Sequence, residues 1–288
     1  MIDVTLTRHD DHYTLRHPPA DDYEIFGRGG NDVIDIDALQ GTFYISGGSG
    51  NDTIMTGLTG SHATFEVDGG SGNDTIIGVG GTNHFDGGSG NDTLSGAFGT
   101  FWLEGGAGDD TLSLGSFATG VLEGGSGNDV LTGNAQRSSF VMYGGSGNDR
   151  LQAVGNFSHI HEEFYGDSGN DTITSLGGDD LLDGGEGNDV LRGGDGSDTL
   201  WGGDGRDVFV FGNRTEGGTV AFRDVIEDFE RGDKIQFVGT GLTFAKLTIT
   251  DGVDGAEIRY TDNARIVDTI VLVDVEANEL RAADFAFV

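Results

Sequence analysis

Apolar residues recur through the middle of this chain at one fixed phase: Ile34, Ile54, Ile76, Leu94, Leu112, Leu131, Leu151, Ile173, Leu182, Leu191, Leu200 and Phe209. Each stands eighth in a nine-residue string that opens on glycine and polar residues, as in GGSGNDTIM (47–55) and GGSGNDTLS (87–95). Six turn-forming residues followed by three with an inward apolar centre predict a turn and then a short strand. Copies begin at Gly27, Gly47, Gly69, Gly87, Gly105, Gly124, Gly144, Gly166, Ser175, Gly184, Gly193 and Gly202. The spacings are 20, 22, 18, 18, 19, 20 and 22 residues, then 9 four times over. A unit of nine and a unit of about eighteen are therefore one architecture, in which every second turn of the first part has lost its motif. Two units complete a coil, and stacked coils share an apolar core. The predicted fold class is all-β, a parallel β-solenoid.

The halves between motifs carry the same signal. Counting back from each glycine pair, position −2 reads Ile45, Val67, Phe85, Leu103, Leu122, Met142 and Phe164, and position −4 reads Phe43, Phe65, Asn83, Phe101, Gly120, Phe140 and Glu162. This alternation predicts half-buried strands with −2 inward throughout and −4 mostly so. Position −1 should face water, where Asp68, Asp86, Glu104 and Glu123 would form a ladder of like charges. Such a ladder is unfavourable at a strand spacing of about 4.8 Å, so cations or water are expected beside it.

Composition narrows the chemistry. Of 288 residues, 54 are glycine and 2 proline, with no collagen period. The formal charge is −34. Nucleic acid, whose binding needs Lys and Arg on phosphates, is excluded as a partner, and so are anionic membrane surfaces. Such a charge opposes compaction unless cations offset it. Without cysteine there is no disulfide and no thiolate metal site. No apolar run reaches a transmembrane length, and the N-terminus lacks the order of a cleavable signal peptide.

Each motif ends in a carboxylate that phosphate would avoid: Asp32, Asp52, Asp74, Asp92, Asp110, Asp129, Asp149, Asp171, Asp180, Asp189, Asp198 and Asp207 occupy the sixth position. A hard divalent cation takes several oxygens from carboxylates and carbonyls at once. A glycine-rich turn exposes carbonyls, and two stacked turns could supply six oxygens, each Asp being shared between neighbouring ions. No Lys follows to make a P-loop, and the Asp spacing does not fit an EF-hand.

The string GGxGxDxUx, present as GGSGNDTIM and GGEGNDVLR, resembles the nonapeptide of the RTX (repeats-in-toxin) calcium-binding proteins, from Gly27 to Val210 or roughly two thirds of the chain. The resemblance implies a right-handed parallel β-roll with Ca²⁺ in the turns. Its ligands would be the sixth-position aspartates, with first-position residues Gly47, Gly69, Gly87, Gly105, Gly124, Gly144, Gly166, Gly184, Gly193 and Gly202. Third-position residues Ser49, Ser71, Ser89, Ala107, Ser126, Ser146, Ser168, Glu186, Asp195 and Asp204 would complete each set. Departures are Arg28 and Asp167 for the second glycine and Ser175-Leu176 for both. The alternate turns at 57–62, 78–84, 96–101, 115–120 and 133–139 carry no aspartate, so ions are expected in nine gaps on one edge and one on the other. The resemblance also implies type I export from an uncleaved C-terminal signal, hence a secreted or cell-surface location. The expected organisation is a leader or cap at 1–26, the roll at 27–210, and a β-rich cap with the export signal at 211–288, where RDVIEDFERGDKIQF, LTFAKLTIT, AEIRY and DTIVLVDV read as short strands.

Other features carry less. Thr53, Thr75, Thr93, Thr111 and Thr172 form an outward column, interrupted by Val130 and Arg150, which either favours strands or presents a flat adhesive face. His159, His161 and Glu163 share a strand face that could hold a transition metal or be a polar insertion. His9, His12 and His17 fall in a segment expected to fray. Phe98, Phe117 and Phe157 lie at similar phases in alternate turns and are expected to pack there. HExxH and GxSxG are absent, and the residues before the first motif are too few for a catalytic domain, so no enzymatic activity is expected. The expected function is a structural or interaction module with a cell-surface, matrix or protein partner. The alternatives are the non-catalytic tail of an exported protease, lipase or epimerase, and a calcium-dependent adhesin for ice or glycan.

Overall fold

The computed structural model describes residues 1–134, 139–155, 160–212, 221–261 and 267–288. The chain divides into two compact units, Met1–Asp149 and Arg150–Val288. Both are parallel β-solenoids, as the periodicity predicts.

In the first unit one sheet is built from Ile2–Thr5, Asp22–Phe26, Thr42–Ser49, Thr64–Ser71, Thr82–Ser89, Thr100–Ala107, Thr119–Ser126 and Phe140–Ser146. The other takes His12–Arg16, Val33–Asp37, Thr53–Gly57, Thr75–Val79, Thr93–Ala97, Thr111–Leu114 and Val130–Asn134. The winding starts earlier than expected. Ile2–Thr5 pairs with Tyr23–Phe26 and His12–Arg16 with Val33–Asp37, so the segment with His9, His12 and His17 is tied into both sheets rather than frayed. The strands also run further into the motif than expected. Gly48, Gly70 and Gly88 stand in register, as do Ser49, Ser71 and Ser89, which leaves only three residues of each motif to turn the chain.

Two inward residues per strand form the core. Position −2 is buried in every coil, and Phe43, Phe65, Phe101 and Phe140 at −4 are at most 2% exposed. Opposite Phe101 and Phe140 the other sheet carries glycine. A β-carbon on Gly96 would lie 2.5 Å from the Phe101 ring, and one on Gly133 would lie 2.4 Å from that of Phe140. Where the phenylalanine is missing, Asn83 fills the place and donates its amide to the carbonyls of Gly80 (2.9 Å) and Thr100 (3.3 Å), which compensates the burial of its nitrogen while Oδ1 stays without a partner. Phe98 and Phe117 do not enter the core. Both adopt φ of 61°, stay about half exposed and stack on each other with centroids 5.7 Å apart. Phe157 lies outside the described residues.

In the second unit the motifs fall on both edges, because consecutive nonapeptides alternate between sheets. Glu163–Ser168, Leu181–Asp183, Thr199–Trp201 and Arg223–Ile226 stack in one sheet. Arg150–Val154, Thr172–Thr174, Val190–Arg192, Val208–Gly212, Lys234–Val238 and Phe285–Phe287 form the other. Composition changes after Val210; the parallel winding does not. Val267–Val273 pairs in parallel with Arg223–Ile226, while Thr248–Asp251 and Gly255–Thr261 add antiparallel strands beside it. Of the strands expected there, part of LTFAKLTIT is instead a short 3₁₀ turn, Phe244–Lys246.

Candidate metal centre

The motif turns are stitched in both directions along the stack. The sixth-position amide donates to the Asp Oδ1 of the following coil: Asp52 to Asp74 (2.7 Å), Asp74 to Asp92 (2.6 Å) and Asp92 to Asp110 (2.7 Å). The fifth-position amide donates the other way, Asn73 to Asn51 Oδ1 (2.8 Å) and Asn91 to Asn73 Oδ1 (2.9 Å). Third-position carbonyls accept from the glycine amide of the preceding coil, as Ser71 does from Gly50 and Ala107 from Gly90 (both 2.8 Å), which uses one of each carbonyl's two lone pairs. Asp129 reaches Asp149 in the same way, and Asp171 reaches Asp189.

These bonds use one carboxylate oxygen. The other, Oδ2, has no hydrogen-bond partner in Asp32, Asp52, Asp74, Asp92, Asp110, Asp129, Asp189 and Asp207, although each residue is at most 2% exposed. Isolated buried carboxylates are strongly disfavoured. The orphan oxygens also point at something. A β-carbon on Gly69 would sit 2.6 Å from both Asp74 Oδ2 and the Gly87 carbonyl oxygen of the next coil. The same point lies 2.5 Å from Asp110 Oδ2 and Gly124 O at Gly105, and 2.5 Å from Asp129 Oδ2 and Gly144 O at Gly124. In the second unit, Asp189 Oδ2 and Gly202 O converge at Gly184 (2.5 and 2.6 Å). First-position glycine thus leaves room where oxygens of two coils meet, and the donor set of carboxylate and carbonyl suits a hard divalent cation. Burial pushes the carboxyls of Asp74 and Asp189 up to about 6 and those of Asp110 and Asp207 up to about 7, the response of carboxylates lacking a counter-charge.

Among the described residues no three His, Asp or Glu side chains converge on one point. That follows from the construction, since one carboxylate per turn is completed by carbonyls. Ser168, Glu186 and Asp204 stand in register along the first edge of the second unit, and a β-carbon on Gly166 would lie 2.5 Å from Asp171 Oδ2. On the second edge, Asp180 donates its amide to Asp198 Oδ1 (3.0 Å), Asp195 accepts from Gly178 (3.0 Å), and a β-carbon at Gly193 would strike Asp198 Oδ2.

Four further residues occupy the aspartate position without a nonapeptide around them. Asp11 donates its amide to Asp32 Oδ1 (2.8 Å), and Glu162 donates to Asp180 Oδ1 (2.9 Å). Asp224 accepts from the Asp198 amide (3.1 Å), and Asp233 accepts from that of Asp207 (3.0 Å). The surviving signal is an acid two residues before an inward apolar side chain, as in Asp224–Ile226 and Asp233–Ile235. Asp228 closes the last glycine pair, taking the Gly202 and Gly203 amides at 2.9 and 2.8 Å. Burial, then the charge of Asp180, raises the Glu162 carboxyl to about 9.

The acidic ladder is present, with Asp68, Asp86, Glu104 and Glu123 in register. His84 lies beside it, Nδ1 at 3.1 Å from Glu66 and Nε2 at 3.2 Å from Glu104. Burial pulls this imidazole down, but the two carboxylates outweigh it and hold it above its ordinary value. Phe26, Tyr44, Glu66, Asp68, His84 and Asp86 line an open cavity of about 300 Å³ there. Thr53, Thr75, Thr93 and Thr111 stand in one column that Val130 ends. His161 lies 3.9 Å from Glu163, while His159 is outside the described residues.

A parallel β-solenoid whose turns hold paired rows of carboxylates and carbonyls defines a cation-binding repeat protein. The family model of the RTX calcium-binding nonapeptide repeat matches residues 44–58, 68–100, 102–119, 119–137, 141–153, 161–191 and 183–213. The chain belongs to this family, and its repeats bind Ca²⁺. A calcium-dependent β-helical antifreeze protein from an Antarctic bacterium has a similar fold (TM-score 0.52, 21% identity, 83% of this chain and 86% of that one). The R3 subunit of the mannuronan C5-epimerase AlgE6 from Azotobacter vinelandii is 32% identical over 46% of this chain and 80% of its own, with a TM-score of 0.37. No curated protein matches the chain by sequence. No helix among the described residues is long and apolar enough to cross a membrane.

Proposed function

We propose that this chain is a secreted β-roll, folded by extracellular calcium, that serves as a non-catalytic structural or interaction module at or beyond the bacterial cell surface. The observation that carries this reading is the column of buried Asp Oδ2 atoms without partners, which from Asp32 to Asp129 each meet a glycine carbonyl of the next coil. Sixth-position aspartates would hold the ions, with first- and third-position carbonyls completing each shell. About ten Ca²⁺ would take the charge from −34 to about −14. Extracellular modules bind calcium with Kd near 10⁻⁴–10⁻³ M. At cytosolic calcium the carboxylates would therefore lack their counter-charge, and folding would follow export because binding free energy is folding free energy. On this reading the region 211–288 caps the roll and carries the export signal.

A calcium titration followed by far-UV circular dichroism and small-angle scattering tests the proposal. The expected result is a disordered chain in EDTA and a compact β protein at millimolar Ca²⁺. A chain equally folded in both refutes it.

The aromatic and acidic groove around Tyr44, Glu66 and His84 favours a second reading, a calcium-dependent adhesin for glycan. Retention of the calcium-loaded protein on a glycan array that is lost on Tyr44→Ala would support it. The antifreeze protein of similar fold raises ice as another target, and thermal hysteresis decides that case.

A further inference from the structure

The turn before the first second-edge nonapeptide reads FSHIHEEF (157–164), with no GGxGxD in it. The backbone nonetheless treats Glu162 as a sixth-position residue. Its carbonyl accepts from the Leu181 amide (3.0 Å), just as those of Asp180 and Asp74 accept from Thr199 and Thr93 (both 2.8 Å). Its own amide donates to Asp180 Oδ1 (2.9 Å). Phe164, two residues on, is fully buried in the eighth-position place.

The side chain is anomalous. Glu162 is 1% exposed, and among the described residues its carboxylate finds no hydrogen-bond donor, only the carboxyl of Asp180 at its side. Asp180 beside it is equally buried. Ser175 takes the place of a first-position glycine, and its hydroxyl donates to Asp180 Oδ2 at 2.5 Å. No Lys or Arg among the described residues forms an ion pair with either acid. Two buried carboxylates side by side must share a proton or hold a cation.

We propose that Glu162 and Asp180, with the Ser175 hydroxyl, hold a further divalent cation on the second edge, one coil before the nonapeptides of that edge begin. The proposal rests on the calcium-loading reading above and extends it to a ligand outside the repeat motif. The two Glu162 oxygens, Asp180 Oδ2 and the Ser175 hydroxyl oxygen are hard donors of the kind Ca²⁺ takes, and the longer Glu side chain can present both oxygens to one ion. A cation also accounts for Glu where a neutral side chain would otherwise be less costly to bury.

The test is the number of Ca²⁺ bound per folded full-length chain, measured by equilibrium dialysis for the wild type, Glu162→Gln and Glu162→Asp, with hydrogen exchange on the same samples. The Gln variant should bind one ion fewer, and amides of Glu163–Ser168 and Leu181–Asp183 should exchange faster while those of Thr82–Ser89 are unchanged. The Asp variant, carrying the residue normal at this position, should keep the full count. A Gln variant that fails to fold in calcium where the Asp variant folds supports the cation equally, because a proton-sharing pair tolerates an amide. Equal ion counts in wild type and the Gln variant overturn the proposal while calcium-dependent folding stands. A wild type that binds no calcium sinks both.

Discussion

Gly69→Ala isolates the ion cradle from the rest of the turn. The backbone at Gly69 is not left-handed, unlike Gly70 at φ 103°, so alanine fits the chain there without the strain it would meet one residue later. Its methyl group would nevertheless sit 2.6 Å from Asp74 Oδ2 and from the Gly87 carbonyl, where a cation must lie to serve both. The expected loss is one ion between two coils. For a site with Kd of 10⁻⁴–10⁻³ M, that removes about 1.4–2.7 kcal/mol at 10 mM Ca²⁺, from RT ln(1 + [L]/Kd). A steric penalty adds to this, and the two separate by their calcium dependence. Each ion lost widens the stability gap by about 1.4 kcal/mol per tenfold rise in Ca²⁺ once the site is near saturation, whereas a steric cost does not change. Urea unfolding of both proteins across 1–100 mM Ca²⁺ reads the difference. A gap that stays constant over that range would mean the methyl only crowds the turn, and the assignment of the cradle would be wrong.

Three other outcomes follow from the same geometry. Asp92→Ala removes the carboxylate that accepts from the Asp74 amide and meets the Gly105 carbonyl, so it should weaken the ions on both sides, with faster hydrogen exchange in Thr82–Ser89 and Thr100–Ala107 and none in Ile2–Thr5. Acid should stabilise the ion-free coil. Folded carboxyls raised from 3.8 to about 6 or 7 at Asp74, Asp110, Asp189 and Asp207 contribute stability below pH 4 that is lost as pH rises through those values. In EDTA the β signal should therefore grow between pH 7.5 and 4.5 while calcium affinity falls, and a pH-independent apo signal would contradict this. Gly96→Ala drives a β-carbon to 2.5 Å from the Phe101 ring and should cost roughly 1–3 kcal/mol, equally at low and high calcium in a urea melt.

The register of the solenoid was legible because two features recur without exception, an acid at the sixth position and an apolar residue at the eighth. The glycines are a weaker guide than they look. Arg28 and Asp167 replace the second glycine yet adopt φ of 76° and 67°, so the turn survives their loss. Glu162 shows the limit of motif reading: its turn keeps the backbone phase and the buried Phe164 but none of the glycines. Asp11, Asp224 and Asp233 were hidden for the same reason, since the ladder of neighbouring coils imposes the turn on a sequence that does not encode it alone. Phe98 and Phe117 looked like packing residues from their spacing. Their left-handed backbone turns them outward, which spacing cannot reveal.

The two edges of the first unit close by different physics. On the aspartate edge the turns of Asp32, Asp52, Asp74, Asp92, Asp110 and Asp129 each end in a buried oxygen that their own hydrogen bonds leave over. On the opposite edge hydrogen bonds join the turns with no column of buried carboxylates among the described residues: Ser61 Oγ donates to the Ala38 carbonyl (2.9 Å), Asn83 to Gly80 (2.9 Å), and the Gly115 amide to Gly96 (2.7 Å). Removing calcium therefore does not weaken a coil evenly. It leaves repelling carboxylates along one seam and an intact network along the other, so opening should begin at the motif turns and leave the aspartate-free turns and the phenylalanine core as the last structure to go. Calcium control and core stability are thus assigned to opposite sides of the same coil, which lets the outer surface of the aspartate-free side vary without disturbing the ions.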